Sequence, residues 1–203
     1  MKKYAVLHEP GDIVTLAGTR FVVLDVERRG SLPDSLFLLA LESVGASEFG
    51  SSNNYAESDL KKAVDKWLED MGKRGLDNAK LIPREIDLTT LDGSGCYGKL
   101  SVKAAPLTLD EARKYADIIP NAERWCWLAT GWSGPSKSDG GLALDVYSLG
   151  GWYGSNCSNS YGIRPALKIP SDLLLDSADK PDLSEVPTDT LLEEIRHRVV
   201  DKA

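Results

Sequence analysis

Catalysis needs histidines, cysteines or carboxylates in a working pattern, and this 203-residue chain offers few. Its two histidines, His8 and His197, stand near opposite ends. Neither neighbours a Ser or Cys in a nucleophile motif, so Ser-His-Asp and Cys-His chemistry have no sequence support. H-E-x-x-H is absent, and GSGCYG at 93–98 is neither G-x-G-x-x-G nor a Walker loop. Cys96, Cys126 and Cys157 are odd in number, far apart and without C-x-x-C, which argues against a disulfide framework or a zinc knuckle. The expectation is a protein that is not an enzyme and uses no metal or cofactor.

The residue types that do form a pattern are those of recognition. Between WCWLAT (125–130) and GIRPALKI (162–169) lies a stretch dominated by Gly, Ser, Asn, Tyr and Trp. Tyr and Trp give large contact area at low entropy cost, while Ser, Asn and Gly give adaptable hydrogen bonding. The candidate ligand-binding residues are Trp132, Ser133, Ser136, Lys137, Asp139, Tyr147, Ser148, Trp152, Tyr153, Ser155, Asn156, Cys157, Ser158, Asn159 and Ser160. Trp132, Trp152 and Tyr153 have Gly and Ser neighbours and read as surface anchors, the alternative being a plug under long loops. Trp125 and Trp127 share a strand face by period-two alternation and read as core. Arg164 reads as a structural tie, its planar donor fork holding carbonyls or a carboxylate; an anion site is the alternative.

These residues must be held by regular elements. FVVLDV (21–26) and LFLLAL (36–41) read as paired strands joined by an extended loop. Leu60, Ala63, Val64, Trp67, Leu68 and Met71 recur at helical spacing over 57–71. Thr108 and Glu111 form a capping-box signature for a second helix over 109–118. Residues 78–105 are loop-rich with short strand candidates. Trp125–Ala129 reads as a buried strand, and Ile163–Ile169 as a strand that Pro165 places at an edge or bulge. The domain is expected over 1–170, followed by an acidic linker (171–187) and a C-terminal helix (188–203) used for docking, self-association or packing back.

The order PGDIVTL, NNYAESDLKKAVDKWL, PLTLDEARKY, WCWLAT and YGIRPALKI resembles an uncharacterised prophage-borne domain family with a C-type-lectin-like fold. That fold is shared by formylglycine-generating enzymes and by the variable proteins of diversity-generating retroelements. The resemblance implies an α+β domain with two helices flanking a small antiparallel sheet. It also implies a ligand face on the C-terminal strands and loops. The usage of Tyr, Ser, Asn, Cys and Gly across 147–161 is compatible with what adenine mutagenesis of Asn codons generates. The paired-cysteine copper site of formylglycine-generating enzymes and the calcium ligand sets of lectins are not matched, so neither activity carries over.

A formal net charge of -7 argues against nucleic acid and anionic membranes as partners. Lys61, Lys62 and Lys66 read as a solvated helix face among Asp65 and Glu69. No apolar run approaches a membrane span, and no secretory leader follows Met1. The expected protein is made in the cytoplasm, with a virion assembled there as the other location allowed, and recognises a protein or glycan on a cell surface; the alternatives are a formylglycine-generating-type enzyme and a structural prophage protein that binds no ligand.

Overall fold

The computed structural model describes residues 2–5, 8–29, 32–135, 139–147 and 151–177. Its strands are β1 (Lys2–Tyr4), β2 (Ile13–Leu16), β3 (Thr19–Arg29), β4 (Leu32–Ala40), β5 (Ala46–Glu48), β6 (Arg84–Asp87) and β7 (Lys99–Val102). They continue with β8 (Ala104–Ala105), β9 (Cys126–Gly131), β10 (Leu142–Val146), β11 (Trp152–Asn156), β12 (Ser160–Gly162), β13 (Ala166–Pro170) and β14 (Leu174–Ser177). Two α-helices accompany them, α1 (Asp59–Lys73) and α2 (Leu109–Lys114).

The larger sheet has seven strands in the order β1–β14–β2–β3–β4–β13–β8, all antiparallel. Successive residues of β3 and β4 point to opposite faces. Phe21, Val23, Leu36 and Leu38 enter one apolar core, while Val22, Leu24, Phe37 and Leu39 enter a second. Burial on both faces is why these strands read as continuous apolar runs without alternation.

The helices are set by local rules. Ser58 caps α1, its hydroxyl accepting from the Lys61 amide. Leu60, Val64, Trp67 and Met71 form the buried stripe of α1 and join the first core. Lys61 and Lys62 pair with Asp65 and Asp59 on the solvent side. In α2 the capping box is complete: Thr108 Oγ1 accepts from the Glu111 amide, and Glu111 accepts from the Thr108 amide. Glu111 also pairs with buried Arg84 of β6, which donates to the Ala105 and Pro106 carbonyls. That one pair fixes the two-stranded sheet β6–β7 to the start of α2.

The expected α+β arrangement, with two helices flanking a small sheet, is overturned. Among the described residues the chain is mostly β, in sheets of seven, five and two strands, with two short helices. A C-type-lectin-like fold defined that way does not describe it. The short apolar segments of 78–105 and the Gly/Ser/Asn-rich interval both pair as strands, because each finds a neighbour that supplies its missing backbone partners. The second helix is six residues long, since α-type hydrogen bonding gives way to turns after Lys114. β13 is central, between β4 and β8; Pro165 precedes it, so no ladder donor is lost. The segment read as the start of a linker contributes β14, paired with β1 and β2. The C-terminal helix expected over 188–203 lies outside the described residues.

Candidate functional site

The recognition interval folds into the five-stranded sheet, ordered β11–β10–β9–β12–β5. Asp145 on β10 lies opposite Trp127 on β9 and Tyr153 on β11, so their side chains share a face. Val146 lies opposite Cys126 and Trp152, which share the other face.

The first face carries a connected ribbon of aromatic rings. Its inner end is buried: Phe49 meets Tyr55 and Trp127 edge-on, with centroids 6.4 and 5.5 Å away. Trp127 donates from its indole nitrogen to the Ser47 carbonyl at 2.9 Å and packs on Tyr161 at 4.7 Å. The outer end is open. Half-buried Trp125 contacts Tyr147 at 4.6 Å, Tyr153 at 5.0 Å and Tyr161 at 5.9 Å, the last pair stacked. Such offset and edge pairs hold one another in place beyond their area burial. Asn159 donates from Nδ2 to the Tyr161 hydroxyl at 3.1 Å, and the Ser155 hydroxyl lies 3.3 Å from it. Tyr153 is 51% exposed at the end of the ribbon. Beside Trp125 lies a shallow basin of about 410 Å³ lined by Glu123, Arg124, Ser160, Tyr161 and Gly162.

Trp152 projects from the opposite face and is 39% exposed. Arg113 of α2 sits over its ring, 5.3 Å from the centroid, a cation–π contact that spans from helix to edge strand. Trp132 is half-buried and lies flat on β11. A Cβ on Gly154 would come 2.2 Å from its ring, so only glycine permits this approach.

The remaining candidates divide by position. Asn156, Ser158 and Ser160 are exposed, and the Asn156 side-chain oxygen accepts from the Ser158 amide and hydroxyl in a local turn. Ser155 and Asn159 are half-buried beside Tyr161, and Asp139 is exposed. Ser133 is buried, its carbonyl accepting from Asn53 Nδ2 at 2.9 Å. Cys157 is buried in the first core, where desolvation pushes its thiol up to about 11. Ser136, Lys137 and Ser148 lie outside the described residues. Among the described residues no three His, Cys, Asp or Glu side chains gather as metal ligands would.

Sequence reasoning passed over Trp125, Tyr161, Arg113 and Asp145. Trp125 read as core because it shares strand parity with Trp127, yet it stands one residue before β9, at the exposed margin. The signal that distinguishes it is the charged pair Glu123-Arg124 just before it.

Asp145 is fully buried, and neither carboxylate oxygen is held by a hydrogen bond of good geometry, the Ser155 hydroxyl being close enough only for a weak one. Burial raises its pKa to about 6, an effect the Ser155 hydroxyl only partly offsets. Its folded pKa therefore exceeds the unfolded value of about 3.9. Between these values the native state holds a proton that the unfolded chain has lost, so stability falls as pH rises from about 4 to about 6.

Comparison with family models, curated proteins and solved structures finds no match for this chain. Among the described residues no helix is long and apolar enough to cross a membrane.

The Asp145→Asn variant is expected to lose this fall. Thermal or urea unfolding across the pH range should show it more stable than the parent above about pH 6, by on the order of 2 kcal/mol, with the gap closing towards pH 4.

Proposed function

We propose that this protein is a ligand-binding module whose contact surface is the outer end of the five-stranded sheet. Trp125, Tyr147, Tyr153 and Tyr161 form its platform, with Ser155, Asn156, Ser158, Asn159 and Ser160 as the adaptable polar margin. The observation that carries this reading is the aromatic ribbon itself. It runs unbroken from buried Phe49 and Trp127 to exposed Tyr153, so the outward rings rest on a rigid base. Large, pre-positioned aromatic surface lowers the ordering cost of binding. A ring of small polar groups around aromatic anchors is the composition of binding hot spots.

The ligand class that fits is a protein or glycan presented on a cell surface. A flat aromatic platform beside a basin with Glu123, Arg124 and Ser160 offers stacking together with donors and acceptors. Retroelement diversification is the finer form of this reading. Its support is the residue usage at exposed positions 153, 156, 158 and 160, where substitutions cost about 0.5 kcal/mol or less. Under that form the encoding locus carries a reverse transcriptase and a near-identical template repeat; a locus without them removes diversification and leaves the binding module.

Replacing Tyr147 and Tyr153 together with Ala tests the surface. Labelled protein applied to glycan arrays and intact cells should lose at least about tenfold in binding, a difference of about 1.4 kcal/mol, with the melting temperature within a few degrees of the parent. Undiminished binding, or a collapse in stability, contradicts the reading.

A further inference from the structure

The edge of a sheet is a row of unpaired backbone donors and acceptors, and most edges of this protein are short or charged. Among the described residues β8 has two residues, β5 has three and ends in Glu48, and β1 reads KKY. β6 and β7 carry Arg84, Glu85, Asp87 and Lys99. β11 differs, with five residues, WYGSN, and neither charge nor proline. Its one strand neighbour among the described residues is β10. The Tyr147 amide donates to the Gly151 carbonyl and the Cys157 amide to the Gly141 carbonyl, and the ladder between them keeps one register. By that alternation Tyr153 and Ser155 also turn their backbone groups to β10, while Trp152, Gly154 and Asn156 turn theirs outward. The side chains give a second, independent observation. Leu91, Trp152 and Tyr153 are the large hydrophobic side chains that the described residues expose. Two of the three are successive residues of this strand and so stand on opposite faces of the sheet. A ligand lying on one face covers one of them, whereas a strand added at the edge covers both.

We propose that β11 pairs antiparallel with β11 of a second copy of this chain, about a two-fold axis at Gly154, joining the two five-stranded sheets edge to edge. In that register Trp152 lies opposite Asn156 of the second copy, Tyr153 opposite Ser155, and Gly154 opposite itself. Outward groups meet outward groups throughout, for about six hydrogen bonds. The Asn156 carbonyl already accepts from the Asn159 amide, and its second lone pair serves one of them. Self-pairing is favoured over a foreign strand by what the register brings together. Each aromatic ring meets a small polar side chain, and glycine meets glycine at the axis. Each copy carries a net charge of -7, and this uncharged edge is where two such copies meet without like charges opposite one another. The contact is also closed, since one edge of each copy is used and the pairing ends at two. The axis runs perpendicular to the sheet, so the Tyr153 faces of both copies point the same way. Two aromatic platforms then act on one surface, which raises avidity with no new ligand contact.

Sedimentation velocity of the full chain tests the pairing. The protein should pass from monomer to dimer with a Kd below about 0.5 mM, the weak end expected of a small interface. Trp152→Lys and Asn156→Asp each place a charge on the edge, and each should raise the Kd by about fivefold or more. The double variant sets the two new charges opposite each other across the axis and should recover most of that loss. Melting temperatures of the dilute variants within a few degrees of the parent separate lost pairing from lost folding. Hydrogen exchange reads the same contact without any substitution. The outward amides of Trp152, Gly154 and Asn156 should slow between about 5 µM and about 1 mM protein, while those of β3 stay unchanged. A chain still mostly monomeric at about 1 mM overturns the proposal and leaves the edge to a strand of another protein. A Kd unchanged in both single variants, a double variant no tighter than either, or outward amides that ignore concentration overturns it as well. No ligand enters these measurements, so their outcome is separate from that of the binding surface.

Discussion

The structure depends on one short crossing, residues 160–170, in which a continuous stretch of backbone serves two sheets. Gly162 ends β12, paired with β5 and beside β9 in the five-stranded sheet, and Ala166 opens β13 in the middle of the seven-stranded one. Arg164 sits in the gap, buried, and bonds the end of β4 at Ala40 and the loop after α2 at Pro120. Backbone bonds complete the joint: the Ala40 amide donates to the Pro165 carbonyl and the Gly162 amide to the Trp125 carbonyl. Gly162 is held to glycine there, since a Cβ would stand 2.8 Å from both Cys126 Sγ and Ser43 Oγ. The connection from β4 to β5 crosses between the same two sheets beside it, the Val44 amide donating to the Ile163 carbonyl and the Ile163 amide to the Gly45 carbonyl.

Everything proposed about function inherits that constraint. The aromatic ribbon is a stable base for recognition because Trp127 is anchored to β5 through Ser47, while β12 brings Tyr161 between Trp127 and Trp125. The outermost strand, β11, is attached through β10 alone and carries the most exposed rings. The sheet thus grades from a buried, heavily bonded interior to an edge made of WYGSN, with no charge or proline to blunt it. Buried Asp145 lies within this gradient, and its poorly satisfied carboxylate marks a site where stability is given up.

Much of the scaffold was legible in the chain. The paired apolar runs, the stripe of α1 and the capping box of α2 are local signals, and each has a local cause. The sheet count was not legible. β5, β8 and β12 are two or three residues long and exist because distant segments meet them, which no window of sequence reports. The recognition stretch was legible as composition but not as geometry. Cys157 and Ser133 sit inside it and are buried, whereas Trp125 lies outside it and is half-exposed. Pro165 misled for a related reason: proline excludes a position from the ladder, not the strand that begins one residue later. Arg164 reads as a tie from sequence, and its bonds to the Ala40 and Pro120 carbonyls fit that.

The central claim is that the recognition face is pre-formed by the scaffold and does not assemble on contact with a ligand. Native-state hydrogen exchange tests it most directly, because it reads the opening free energy of each amide separately. The account predicts that amides of β9, β12 and β13 exchange together, through the same global opening as β3 and β4, and that β11 alone exchanges faster. If β9 and β12 instead open independently, with protection far below that of β3 and β4, the face is not rigid and the account is contradicted.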